Sequence, residues 1–325
     1  MTDTQNEVFK TPVNKIRLFE HGAPGSQNLK LTRKYYTEDM PDGRVKHIVQ
    51  NITDPDIVPY IPDGIGNSTD RQRIPAVLII PGGAFRRLVY NFEGEDVAKW
   101  LNSMGIAAFV LECRLPSDEH DNAEDVPLID AMRAMRVIRG RAQEFGIDEA
   151  KIGVMGFSAG GFMAALLSTA YESDVYADYK YKDEYDKLSA RPDFAVCSYP
   201  VISIDDCIEA GKRYMSEEQV LERISDSKAK ILHKYNPDKL VRPDMPPVFI
   251  CETDDDRTTL SENSVGFYMA ARKAGVSAEL HIFRTGGHGY GCGDDFAQTG
   301  EWKVLFTKWI KSIGIIGEDG YSIRG

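Results

Sequence analysis

The chain has 325 residues, 42% of them hydrophobic and 27% charged, which is enough to bury a sizeable core without disulfide or metal staples. Its 50 Asp and Glu against 39 Lys and Arg leave a net charge of −11, which repels phosphate backbones and anionic lipid. No run of about 18 apolar residues occurs, so neither nucleic acid nor a membrane is an expected partner.

The N-terminal stretch MTDTQNEVFKTPVNK lacks the apolar segment of a signal peptide, so a cytoplasmic location is expected. The cysteines (Cys113, Cys197, Cys207, Cys251 and Cys292) show no CxxC pair and read as reduced thiols. Residues 1–70 form a lead-in rich in β-type residues, broken by Pro and Gly and expected to pack on the same domain as residues 71–325.

From Ile74 a regular alternation begins. Ala76–Ile80 (AVLII) is an unbroken apolar run stopped by Pro-Gly-Gly, as in a buried strand. Val97, Trp100, Leu101 and Met104 then repeat at helical spacing up to Gly105. Ile106–Leu111 is a second buried strand, and Leu128, Ala131, Met132, Met135 and Ile138 mark one face of a helix. Strands follow at Ile152–Met155, Phe194–Tyr199, Val248–Cys251 and Leu280–Phe283. Helices follow at Ser261–Lys273 and along Trp302, Leu305, Phe306, Trp309 and Ile310. This order predicts an α/β fold with a mostly parallel central sheet and helices on both faces.

Two segments interrupt the rhythm. Tyr171–Leu188 is acidic and rich in tyrosine and reads as solvated surface. Residues near 203–240 read as one or two extra helices inserted at the strand-end side, where open α/β sheets hold ligands, and form a candidate cap.

Chemistry concentrates at three strand ends. Gly156-Phe157-Ser158-Ala159-Gly160 follows a strand and precedes a helix, the setting of a nucleophile elbow. A serine hydroxyl needs a base. Of the 6 histidines only His288 lies in a glycine-rich loop just past a strand, whereas His281 alternates within that strand and reads as structural. CETDDDRTT supplies Asp254, Asp255 and Asp256 after another strand, any of which could set the imidazole tautomer. The order Ser, Asp, His matches that of α/β-hydrolases. Backbone N–H groups of Ala159 and of the loop Gly82-Gly83-Ala84 are the candidate oxyanion donors.

These pieces (PGGAF, GIAAFVLECRLP, PLIDAMRAMRVIR, GVMGFSAGGF, RPDFAVCSYPVIS, PPVFICETDDD, ENS and GGHGYG) resemble the α/β-hydrolase esterases related to hormone-sensitive lipase. The similarity is greatest to the branch with bacterial acetyl-xylan and feruloyl esterase-like proteins, and spans Ile74 to Ile313. The resemblance implies an α/β-hydrolase fold with Ser158 as nucleophile and His288 as general base. It also implies Asp256 as the acid, with Asp255 as fallback, and Gly83 and Ala159 as oxyanion donors. No metal or organic cofactor is implied. One departure is Pro81-Gly82-Gly83-Ala84, where relatives often carry HGGG.

The expected function is hydrolysis of short acyl esters, chiefly acetyl, of a sugar or small alcohol. The insert lacks a long apolar stripe, which argues against long-chain lipids. An amidase resembling kynurenine formamidase uses the same triad, and a silent hydrolase-fold receptor is the non-enzymatic alternative. Arg86, Arg87, Glu93 and Glu95 read either as pocket-bordering groups or as ordinary surface charges. Oligomeric state is left open, a homo-oligomer included.

Overall fold

The computed structural model describes residues 9, 13–65, 73–220, 230–293 and 298–317. Strands β1 (Ile16–Arg17), β4 (Asp56–Tyr60), β5 (Ile74–Ile80), β7 (Ala107–Glu112), β8 (Ile147–Phe157), β9 (Ala195–Ser198), β10 (Val248–Thr253) and β11 (Ala278–Phe283) make one sheet. Their spatial order is β1-β4-β7-β5-β8-β9-β10-β11. From β7 to β11 every pairing is parallel, while β4 pairs antiparallel with both β1 and β7. A smaller antiparallel sheet joins β2 (Lys34–Asp39), β3 (Val45–Gln50) and β6 (Leu88–Val89).

The central strands are apolar on both faces because helices cover both. Every residue of β5, β7 and β10 is buried. The described helices are α1 (Asp96–Ser103), α2 (Val126–Gly140), α3 (Ala142–Phe145), α4 (Ala159–Ala170), α5 (Ile204–Tyr214), α6 (Lys230–Lys234), α7 (Ser261–Lys273) and α8 (Glu301–Ser312), and all but α5 and α6 pack on the sheet. Trp100 of α1 meets Trp302 and Phe306 of α8, with ring centroids 4.9 and 5.5 Å apart.

β8 runs from Ile147 to Phe157, longer than its apolar stretch predicts, with its polar N-terminal half beyond a register shift against β5. The lead-in reaches the central sheet through β1 and β4. Charged groups fasten it there: Arg33 Nη1 lies 2.6 Å from Asp56 and 2.7 Å from Glu112, whose side chain is fully buried.

The tyrosine-rich segment is largely solvated, as its composition predicts, but one side of it is not. It lies against α2, with Tyr171 and Tyr176 buried. Arg133 of α2 pairs with Asp183, and also with Asp186 at 3.1 Å, while the Tyr176 hydroxyl donates to Asp186 at 2.8 Å. Tyr176 and Arg136 also bond. Its polar residues find partners on a helix some fifty residues earlier in the chain, a pairing without local periodicity.

Within the insert, α5 and α6 lie between β9 and β10, and residues 221–229 fall outside the described chain. α5 leans on the start of α7 through Arg213 and Glu262 (2.8 Å), and Tyr214 lies under the Arg257 guanidinium.

Candidate active site

Ser158 sits at the junction of β8 and α4, with φ 53° and ψ −118°. An L-residue adopts this conformation only when its surroundings over-determine it. Two glycines do so. A Cβ on Gly156 would stand 1.9 Å from the Gly160 carbonyl oxygen, and one on Gly160 would stand 1.9 Å from that of Ile80. The strand and helix meet too closely for any side chain there, and the serine is pushed out above the sheet. Gly160→Ala is therefore expected to lower unfolding free energy by about 3 kcal/mol, read as a drop in the urea midpoint. A midpoint within error of the parent would show that the elbow can relax.

The serine Oγ lies 2.8 Å from His288 Nε2, and His288 Nδ1 lies 2.6 Å from Asp256 Oδ2. The Asp256 side chain is fully buried, whereas that of His288 keeps 20% of its surface exposed. Burial alone would push the Asp256 carboxyl up. The His288 hydrogen bond and charge, with the N–H groups of Thr259 and Thr258, hold it below the usual range. Asp256 Oδ1 accepts from Thr258 N (2.7 Å) and Thr259 N (3.0 Å), and the Thr259 hydroxyl donates to Oδ2 at 2.9 Å. A carboxylate with this many donors is fixed in orientation.

The neighbouring aspartates do other work. Asp255 Oδ1 accepts from Gly287 N at 2.8 Å, so it holds the histidine loop rather than the imidazole. The Asp254 backbone N–H donates to the Phe283 carbonyl at 2.8 Å, continuing the β10–β11 pairing. The loop itself turns through Gly286, Gly287, Gly289 and Gly291, all at positive φ.

Ala159 opens α4, so its N–H is one of the four that an α-helix leaves without an internal partner. Across from it, the Gly82 N–H is taken by Glu93 Oε2 at 2.8 Å, which leaves Gly83 (φ 138°) as the next N–H of that loop. Ala84 takes φ 57° despite its methyl group. Beside Ala159 and Gly160 lies a narrow recess lined chiefly by apolar residues, among them Pro81, Leu88, Leu115 and Met163.

The four charged residues flagged near this loop do not share one fate. Arg87 pairs with Glu38, and Glu95 pairs with Lys99 at 2.8 Å. Glu93 is neither a surface charge nor a pocket border; it is buried beneath the loop of Gly82 and Gly83. Nothing in its immediate sequence marks that burial, since it sits in a π-helical turn (Asn91–Glu95) ahead of α1. Tyr199 and Thr259 likewise carry no local sequence signal of their contacts with Glu93 and with Asp256 and His288. Of the other histidines, His120 is buried against Ser26 (3.0 Å), His281 bonds Glu279 (2.7 Å), and His47 stacks on Phe9. Among the described residues, no group of three or more His, Cys, Asp or Glu could hold a metal ion, and no helix is long and apolar enough to cross a membrane.

Comparison with known proteins decides the family. Residues 65–270 match the family described as BD-FAE, a span that includes Ser158 and Asp256 and stops short of His288. The chain belongs to the BD-FAE family. An acetylxylan esterase from Xylanibacter ruminicola is 30% identical over 250 residues, 76% of this chain and 48% of that protein. The endo-1,4-beta-xylanase B of Butyrivibrio fibrisolvens is 31% identical over 70% of this chain and 34% of its own length. The chain thus spans about half the length of one such family relative and a third of the other. Among solved structures, an acetyl ester-xyloside bifunctional hydrolase from Caldicellulosiruptor lactoaceticus superposes with TM-score 0.65 at 37% identity, covering 82% of this chain and 91% of that one. A carboxylesterase from Lactobacillus plantarum, 20% identical, shares the fold with TM-score 0.66 over 88% of this chain and 99% of its own. The architecture is the α/β-hydrolase fold, with a large, mostly parallel sheet flanked by helices.

Proposed function

We propose that the protein is a serine esterase of the cytoplasm that removes acetyl or other short acyl groups from a sugar or small alcohol. The observation that carries this reading is the unbroken chain from Ser158 Oγ through both nitrogens of His288 to Asp256, built at a strained strand–helix junction. In this mechanism Ser158 Oγ attacks the ester carbonyl carbon as His288 Nε2 takes its proton. Asp256 keeps the other ring nitrogen protonated and steadies the imidazolium. The N–H groups of Gly83 and Ala159 receive the developing oxyanion. His288 returns the proton to the departing alkoxide, and the acyl group stays on serine. Water then gives a proton to His288 and attacks the acyl carbon, and the acid leaves as serine recovers its proton. None of these steps draws on a metal or an organic cofactor.

Support for an acetylated saccharide comes from what the 30% and 37% identical proteins are described as acting on. Support for a short acyl group comes from the small recess beside Ala159. The buried thiols Cys113, Cys197 and Cys251 are in keeping with a reducing compartment.

The reading is tested with p-nitrophenyl esters of increasing chain length, acetylated mono- and disaccharides, and N-formylkynurenine as an amide. Acetate should be released from at least one saccharide, and kcat/KM should fall by about tenfold or more once the acyl chain passes about four carbons. Preference for a long chain would overturn the short-acyl claim. Faster turnover of the formamide than of any ester would make the protein an amidase, and turnover of none would leave a ligand-binding role.

A further inference from the structure

We infer that Glu93 is a positioning residue of this site, its buried carboxylate fastening the loop of Gly83 to the loop of His288 through Tyr199. The inference rests on the esterase reading above and adds to it a residue outside the Ser158–His288–Asp256 chain.

The connection can be followed bond by bond. The Gly82 N–H donates to Glu93 Oε2 at 2.8 Å, and the Tyr199 hydroxyl donates to Glu93 Oε1 at 2.9 Å. The Tyr199 oxygen in turn accepts from the Gly291 N–H at 3.0 Å, and the Gly291 carbonyl accepts from the Trp302 indole at 3.0 Å. Gly82 and Gly291 belong to the two loops whose spacing decides whether an oxyanion and an imidazole can serve one substrate. Both press on their surroundings. A Cβ on Gly82 would stand 2.8 Å from the Ser158 Cβ, and one on Gly291 would stand 2.6 Å from the carbonyl oxygen of Phe92, the residue before Glu93. The Tyr199 ring also stands edge-on to His288, with centroids 5.0 Å apart. One side chain therefore holds both loops against the elbow, and a shift of about 1 Å in either can lower turnover by about 10²-fold.

Both partners that the structure gives Glu93 are donors, as suits a carboxylate and not a carboxylic acid. Burial pushes its pKa above the ordinary glutamate value, a rise that the His288 charge, the Tyr199 hydroxyl, the Gly82 N–H and Lys46 oppose. Loss of the two bonds would loosen both loops around a bound ester and lower kcat with little change in KM, whereas a side chain that only filled space would show its loss in stability alone.

The experiment measures kcat and KM for p-nitrophenyl acetate in the parent, Glu93→Gln, Tyr199→Phe and Ser158→Ala, each with a thermal melt. Glutamine puts an amide N–H against either Gly82 N–H or the Tyr199 hydroxyl. Folded Glu93→Gln should lose about 10- to 100-fold in kcat with KM within about threefold. Tyr199→Phe cuts the ties to Glu93 and Gly291, so kcat should again fall with KM nearly unchanged. A folded Glu93→Gln with parental kcat overturns the inference. If Glu93→Gln does not fold, Tyr199→Phe decides by the same split of kcat from KM, and parental kcat there overturns it. A parent without esterase activity, or a Ser158→Ala variant that keeps it, instead overturns the esterase reading beneath the inference.

Discussion

Ser158→Ala should lower kcat/KM for p-nitrophenyl acetate by about 10⁴-fold or more while changing unfolding free energy by no more than about 1 kcal/mol. In the proposed mechanism the large effect follows from losing the atom that forms the acyl intermediate, and the proposed oxyanion donors and base can assist direct attack by water only weakly. The small effect follows from geometry. The backbone of Ser158, at φ 53° and ψ −118°, is held by Gly156, Gly160 and the bond from its own N–H to the Ser198 carbonyl at 3.0 Å. Alanine inherits the same strain, and only the Oγ–Nε2 bond disappears. Steady-state kinetics beside a chemical melt reads both numbers from one preparation. A variant that keeps most of its activity would mean the serine is not the nucleophile.

The second large effect separates two adjacent aspartates. Asp256→Asn should reduce kcat by about 10⁴-fold, and Asp255→Asn by about tenfold at most. The reason lies in who donates to each oxygen. Asp256 Oδ1 is claimed by Thr258 N and Thr259 N, so an asparagine must turn its carbonyl oxygen there and its NH₂ toward His288. An N–H facing Nδ1 drives the ring proton to Nε2, the atom that must accept the proton of Ser158. The imidazole is then the wrong tautomer for a base. Asp255 only accepts from Gly287 N, and an asparagine carbonyl can do that as well. The reverse order of effects would move the acid one position along the chain.

Most of the central sheet was legible because each strand is chemically uniform. β5 and β7 are unbroken apolar runs ended by Pro-Gly or polar residues, and burial on both faces requires that composition. The serine was legible for a related reason, since flanking glycines are a local steric demand written into adjacent letters. His288 was legible from its glycine-rich loop after β11.

Other features were not local. Three consecutive aspartates look alike in sequence, and they are told apart only by which atom of the distant histidine loop arrives beside each one. Tyr171–Leu188 is largely wet surface, as its composition says, but the contacts of Tyr176, Asp183 and Asp186 with α2 form only on folding. Glu93 shows the same limit most clearly. Its worth comes from Gly82 and Tyr199, which bond its carboxylate, and from Gly291, which bonds Tyr199 and lies more than two hundred residues beyond Gly82. By itself, the sequence determined an α/β sheet with a serine at a sharp strand–helix turn, because apolar periodicity and glycine sterics act over a few residues. The tertiary structure alone decided which carboxylate serves the imidazole and which one ties the loops, because hydrogen bonds in a low-dielectric interior depend on atoms that no spacing rule brings together.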